Sequence, residues 1–386
     1  MAVPLKYNLR NLRVRWRSTT ATVLGMALVV AVFVLVMSLD RGMRATYINT
    51  GDPRNLIVLR KGSTAESSSQ ISRQQARLIR YAPGIARTER DEPLASAEVI
   101  VLALLQRREG GQANVQVRGL GSVGLELRPQ VRLVEGRMFV PGRRECIVSR
   151  RIAERFEGCR VGETFRAGAT TWRVVGMFDA QRTAHESEIW MDADECRSVF
   201  QRDFFGSVLV RPVDCESGQG LAQRLESDPR LSVRVIPETL YYEEQTRSAG
   251  LFQFLASFLA VIMSIGAAFA AMNTMYAAVG ARTRELGTLR VLGFRQHEIY
   301  LAIMAESVLL GLLGGVLGCV LALPMNGLAT GTMSQSNFAE LAFEFRITGE
   351  LLAKGMAFAL VMGVLGGLLP ARMAARKPIL DALRSV

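Results

Sequence analysis

Histidine and lysine are scarce in this 386-residue chain, and each shortage narrows what it can do. The two histidines, His185 and His297, are too few for a histidine-built metal cluster. Neither opens an H-E-x-x-H pair, because His185 is followed by Glu186 but by no histidine four positions on. His185 reads as an ordinary exposed loop residue. None of the four lysines (Lys6, Lys61, Lys354, Lys377) closes a G-x-x-x-x-G-K-[ST] loop, so the usual backbone cradle for nucleotide phosphates is missing. No G-x-S-x-G is present to present an acyl-transfer nucleophile. There is no repeat of fixed period, no Gly/Ser linker before Gly250, and no low-complexity tract beyond Ser67–Ser69. Catalysis by these residues alone is not expected.

The chain is rich in apolar residues, 49% against 21% charged, and they are bunched. Four runs reach the length needed to cross a bilayer, about 20 residues each. With their flanks they divide the chain into an N-terminal amphipathic segment (1–18), a first span (19–40), a large polar segment (41–248) and a second span (249–280). A short charged segment (281–298), a third span (299–326), a polar loop (327–350), a fourth span (351–371) and a tail (372–386) follow. In the first segment Leu5, Leu9, Leu12 and Trp16 share a helical face among basic residues, as in a helix lying in the inner interface. Its run into the first span reads as an uncleaved anchor, since Met37-Ser38-Leu39 is a poor cleavage site.

A net charge of +12 raises the possibility of nucleic acid, but the placement of the charge points elsewhere. Residues 1–18, 281–298 and the tail carry five, four and four basic residues against Glu285, Glu298 and Asp381, whereas 327–350 has only Arg346 against three glutamates. Four spans put all three basic segments on one side, and the positive-inside rule makes that side cytoplasmic. Both termini are then cytoplasmic and 41–248 lies outside the inner membrane.

The outer segment reads as an α+β module of two subdomains. Strands are expected at 55–59, 99–105 and 113–119 (a pair about the turn at Glu109-Gly110-Gly111), 131–133, 145–148, 171–175, 207–210 and 232–236. Helices are expected at 70–81, 152–156, 221–225 and from Tyr241 to Arg247. The fold class is therefore a four-helix membrane protein with a large extracytoplasmic α+β domain. Cys146, Cys159, Cys196 and Cys215 fall in that domain, an even number that permits two disulfides without fixing their pairing, while Cys319 lies in a span.

Glu306 is the one carboxylate well inside a span, Asn273 is a polar residue within the second, and an intramembrane acid usually faces the bundle interior with a partner. Asn273 is one candidate partner for Glu306, and a neighbour such as Ser307 is another. Gly311, Gly314, Gly315, Gly318, Gly363, Gly366 and Gly367 give small-residue spacing suited to close helix packing, within a bundle or between two copies.

The short charged segment carries leucines at 286, 289 and 292, the spacing of an amphipathic helix, with Gly293 at its expected stop. Its sequence, Arg282, Glu285, Leu286, Gly287, Leu289, Arg290, Leu292, Gly293, followed by a span carrying Glu306 and several glycines, resembles the FtsX/MacB-type ABC transporter permeases. The tail motif Pro370, Ala371, Ala374, Ala375, Pro378, Ile379, Ala382, Leu383, Arg384 and the outer-domain motifs Glu135-Gly136-Arg137, Val161-Gly162-Glu163 and Val174-Val175-Gly176 strengthen that resemblance.

The resemblance implies a permease subunit that relays ATP-driven motion to its outer domain, with Arg282, Glu285, Leu286, Leu289, Arg290, Leu292 and Gly293 meeting the ATPase. It implies a cytoplasmic ATPase in two copies. Because no phosphate loop is present, that ATPase is expected as a separate chain holding ATP and Mg, a departure from MacB, for which the resemblance implies a fused ATPase domain. No cofactor, catalytic residue or metal is expected in this chain. Further expected partners are a second permease copy or paralogue, a periplasmic adaptor or carrier, and membrane lipid. An FtsX-like signalling subunit that controls an outer cell-wall hydrolase is the alternative.

Overall fold

The computed structural model describes residues 16–248, 250–333 and 340–377. The interfacial helix expected before Trp16 and the tail motif from Pro378 onward lie outside the described residues. The described residues fall into two compact units, a membrane unit (within 1–41, 251–328 and 344–386) and an outer unit (within 42–250 and 329–343). Helix α1 runs from Trp16 to Ile48.

The outer unit is built on one continuous sheet. In chain order its elements are β1 (Leu56–Arg60), α2 (Arg73–Arg80), β2 (Ala95–Gln106), β3 (Gln112–Leu120), β4 (Arg132–Gly136), β5 (Glu145–Ser149), α3 (Arg150–Arg155), β6 (Thr164–Ala167) and β7 (Thr170–Asp179). They continue with β8 (Glu188–Asp192), α4 (Ala193–Val199), β9 (Ser207–Val210), α5 (Cys215–Ser227), β10 (Val233–Pro237) and α6 (Glu238–Ser248). The sheet order is β10-β1-β9-β2-β3-β8-β5-β7-β4, with β6 beside β7.

β2 joins the two ends of this sheet. Its first residues, Ala95 to Glu98, pair with β9, and Val99 to Gln106 pair with β3. One half, β1-α2-β2 and β9-α5-β10, has the order of a split βαβ motif. The other half, β3 to α4, is inserted between β2 and β9, which hides the split motif from a linear reading.

Period-two alternation places Val58 of β1 with Ile71, Ile79, Leu221 and Leu225 on the face that α2 and α5 cover. Ile57 and Leu59 point to the other face and pack with Tyr47, Tyr241 and Tyr242. The inserted half likewise has two cores, one around Val117 and Trp172 and one around Phe178 and Trp190.

The membrane unit contains α1 to Arg41, α7 (Gly250–Gly280), α8 (Thr283–Val291), α9 (Gln296–Ala322) and α10 (Gly349–Arg376). Stretches of α1, α7, α9 and α10 are long and apolar enough to cross a membrane. In place of a plain loop, the segment after α9 contributes a two-stranded sheet, β11 (Ala329–Met333) and β12 (Glu340–Glu344).

Glycine lets these helices touch backbone to backbone. A Cβ on Gly311 would sit 2.8 Å from the Ala359 carbonyl oxygen of α10, and one on Gly318 would sit 2.6 Å from the Ala27 carbonyl oxygen of α1. The two glycine rows of α9 therefore face different neighbours within one chain, which is the bundle reading of the small-residue stripe.

Candidate functional site

Helix α8 is a nine-residue element, and its end is built by the sequence. Gly293 follows the C-cap residue Leu292 with φ +97°, a conformation that glycine adopts at little cost. The Gly293 N–H donates to the Arg290 carbonyl (3.2 Å) and the Phe294 N–H to the Leu289 carbonyl (3.2 Å), the paired bonds of a Schellman stop.

The three leucines of the amphipathic pattern do not share one side. Leu286 turns inward and packs with Met275, Val279, Ile299, Ile303 and Ala374 beside the buried Thr283 and Gly287. Leu289 is half-buried, while Val291 and Leu292 are exposed, at 61% and 70%. This corrects the expected apolar face. A helix this short is held by burying one side against the bundle, and its outward apolar surface is Leu289, Val291 and Leu292. Glu285 also lies on the exposed side, and Arg290 is half-buried.

Arg282 is drawn inward as well. Its guanidinium donates from Nη1 to Glu306 Oε2 (3.2 Å) and from Nη2 to Glu306 Oε1 (3.5 Å), with both side chains nearly buried. The intramembrane acid thus meets an arginine from the short helix. Asn273, the partner considered from sequence, lies on an exposed face of α7. Next to the acid, the Ser307 hydroxyl donates to the Gly363 carbonyl of α10 (2.6 Å). At the helix start, Lys377 Nζ donates to Thr283 Oγ1 (3.3 Å). The short helix is therefore fastened to α9 by an ion pair and to residue 377 by a hydrogen bond.

Residues 19–227 match the family model of the MacB-like periplasmic core domain, and residues 257–379 match that of the FtsX-like permease C-terminal region. The chain belongs to the FtsX/MacB-type ABC permeases. Among curated relatives of this permease, a macrolide export ATP-binding/permease protein MacB of Bordetella avium is 26% identical over 307 residues, 75% of this chain and 46% of the relative. A pyoverdine export ATP-binding/permease protein PvdT of Pseudomonas fluorescens is 32% identical over 143 residues, 37% of this chain and 20% of that one.

The permease spans less than half the length of the curated relatives it matches. Among solved structures, the periplasmic region of MacB from Actinobacillus actinomycetemcomitans matches 51% of the permease and 94% of that chain, at a TM-score of 0.40 and 11% identity. The fold class read from the sequence, four spanning helices with an outer α+β domain, is that of the family.

The permease's outer unit holds a buried charge network that sequence reasoning missed. Arg118, on β3, donates to Glu66 (3.0 Å), Glu98 (2.9 Å) and Glu188 (2.9 Å), and Arg128 donates to Glu98 (2.7 Å), all of them almost fully buried. Burial pushes the Glu98 carboxyl up, but the Arg128 and Arg118 guanidiniums outweigh it and hold the group below its ordinary value. At Glu188 the same contest ends well below the ordinary value, through Arg118 and His185.

His185 is not an exposed loop residue. It is wholly buried with Nδ1 3.1 Å from Glu188 Oε2, and burial pushes its pKa down. A lone H-E dipeptide gives no sign of this, because the partner that places His185 comes from the fold.

A second cluster joins the stretch after α1 to the start of α6 within the outer unit. The Glu238 carboxylate, at the start of α6, accepts from the Asp52 N–H (3.0 Å) and from Asn55 Nδ2 (2.9 Å). Arg211 donates to Asn55 Oδ1 (2.9 Å) and to Asp52 Oδ2 (3.1 Å). Burial pushes the Glu238 carboxyl up to about 7.

Of the two readings the cysteine count leaves open, disulfides or free buried thiols, Cys146, Cys159 and Cys196 take the second. All three are unbridged thiols in the core around Trp172, where they fill space as small apolar groups. Burial pushes the Cys159 and Cys196 thiols up to about 12 and that of Cys146 well above its ordinary value, so they stay protonated. Cys215 begins α5, and its side chain lies outside the described residues.

Proposed function

We propose that this chain is the permease subunit of an ABC transporter that turns ATP hydrolysis in a cytoplasmic ATPase pair into movement of its outer domain. The reading places the chain in the cell inner membrane with both termini cytoplasmic, in keeping with its basic segments, and expects two permease copies per complex. Export or extraction of a lipid, lipoprotein, peptide or drug is the expected work, and two curated relatives carry export in their names.

The observation that carries this reading is the construction of α8. An exposed helix end bearing Leu289, Val291 and Leu292 offers an apolar anchor, while Arg282 at its base is paired with Glu306 inside a span. A push on the exposed end is thereby delivered to α9 through a short, nearly buried ion pair. No phosphate loop occurs in these 386 residues, so none of them is assigned to ATP binding.

Purification in mild detergent tests the partners directly: an ABC ATPase should copurify. Leu289→Asp and Leu292→Asp should each abolish stimulated ATP hydrolysis while leaving membrane insertion unchanged. Undiminished stimulation in both variants would remove α8 as the coupling element.

A further inference from the structure

The outer unit carries a cleft of about 940 Å³ on the face where α2 and α5 cover the sheet. Its floor is apolar: Leu225 and Leu231 belong to the core beneath, and Leu78 is half-buried above them. Its walls are cationic. Arg73 and Arg77 stand one helical turn apart on α2, and Arg224 and Arg230 come from α5 and the turn that follows.

The only carboxylate in this lining is Asp228, and Arg230 occupies it with bonds of 3.0 and 2.7 Å. Arg73 reaches Asp194, outside the cleft, at 3.4 Å between exposed groups. Arg77 and Arg224 make no ion pair among the described residues, and Arg224 donates only to the Gly220 carbonyl (3.1 Å). Two unneutralised guanidiniums from opposite helices therefore flank an apolar trough.

We infer that this cleft is a docking site for an acidic amphipathic segment of a partner protein outside the membrane. Such a segment seats an apolar side chain on Leu78, Leu225 and Leu231 and sets carboxylates against Arg77 and Arg224. Carboxylates suit guanidinium forks, which bind them bidentately. A trough walled by two helices suits a helix or strand laid along it, the groove mode of peptide recognition. The inference does not rest on the ATPase reading, because every residue in it belongs to the outer unit.

The test uses the full chain in phosphatidylcholine nanodiscs and a fluorescein-labelled synthetic peptide with leucines at helical spacing flanked by glutamates. Fluorescence anisotropy should show saturable binding that weakens as salt is raised, since exposed charge pairs are screened. Arg77→Glu combined with Arg224→Glu should weaken it about tenfold, the scale of two reversed surface charges. Arg77→Lys combined with Arg224→Lys should keep most of the affinity, which separates lost charge from lost fold. Equal binding of a peptide with lysines for glutamates, or unchanged binding by the charge-reversed variant, would overturn the proposal. So would saturation by dodecyl phosphate with no peptide binding, which would make the site one for small anionic amphiphiles.

Discussion

At the scale of single residues, the outer unit is governed by ionisable groups held away from water. Arg118 serves three glutamates at once, and its removal strands carboxylates that have no solvent to return to. Arg118→Met should lower unfolding stability by about 3–5 kcal/mol, the cost of breaking a buried pair from one side, readable in thermal or denaturant melts.

Glu238 acts in the opposite sense. Its carboxyl titrates near 7 in the folded chain against an ordinary 4.5, so the folded state holds its proton longer than the unfolded state. The stabilisation is present below 4.5 and is lost as pH rises through 7, to a limit of about 3 kcal/mol. His185, pushed below its ordinary value, contributes stability that is lost as pH falls, so the wild-type profile mixes both trends. The difference between wild type and Glu238→Gln isolates the carboxyl. The variant should gain relative stability steadily from pH 4.5 to 7, and a flat difference would refute the assignment.

At the scale of elements, local chemistry was legible where it is local. Ser72 and Gln75 form the reciprocal cap that starts α2, and the two strands about Gly110-Gly111 pair as their alternation suggests. Gly293 stops α8 as its position implies. Gly293→Val should cost about 1–2 kcal/mol of local stability, because a β-branched residue at φ +97° is strained. Hydrogen exchange at the amides of α8 should quicken accordingly.

The facing of α8 was not legible. Three leucines at spacings of three residues define a stripe only if nothing rotates the helix, and here the Arg282–Glu306 pair and the burial of Thr283 and Gly287 set its rotation. Both constraints come from contacts with other helices. β8 was missed for a related reason: EIWMD has no flanking turn signal and no clean alternation, and it becomes a strand because β3 and β5 flank it. The buried thiols follow the same rule, since an even count and an outer location say nothing about which strands bring cysteines into one core.

At the scale of the whole molecule, membrane spans and segment order could be read directly from bunched apolar runs, because a bilayer imposes length and composition on the chain itself. The split βαβ half could not, because about a hundred residues intervene between β2 and β9 and only the sheet reunites them. The outer unit's long segment runs from Gly42, within α1, to Gly250, beyond α6, and residues 48–55 and 237–242 lie a few residues inside its two ends. These two stretches are fastened to each other by the Asp52–Glu238 and Asn55–Glu238 bonds, and Gly51 lies against the backbone of Thr239, where a Cβ would come within 2.8 Å of the amide nitrogen. Gly51→Leu should therefore separate the two stretches while leaving the distant core around Trp172 intact, at an overpacking cost of about 1–3 kcal/mol. Hydrogen exchange should rise in α6 and at residues 51–56 and stay unchanged in β5 and β7. On the coupling reading proposed above, transport by the reconstituted complex should fall further than ATP hydrolysis, because a stroke generated in the spans would be lost at these bonds. Equal loss of both would place the defect in the spans.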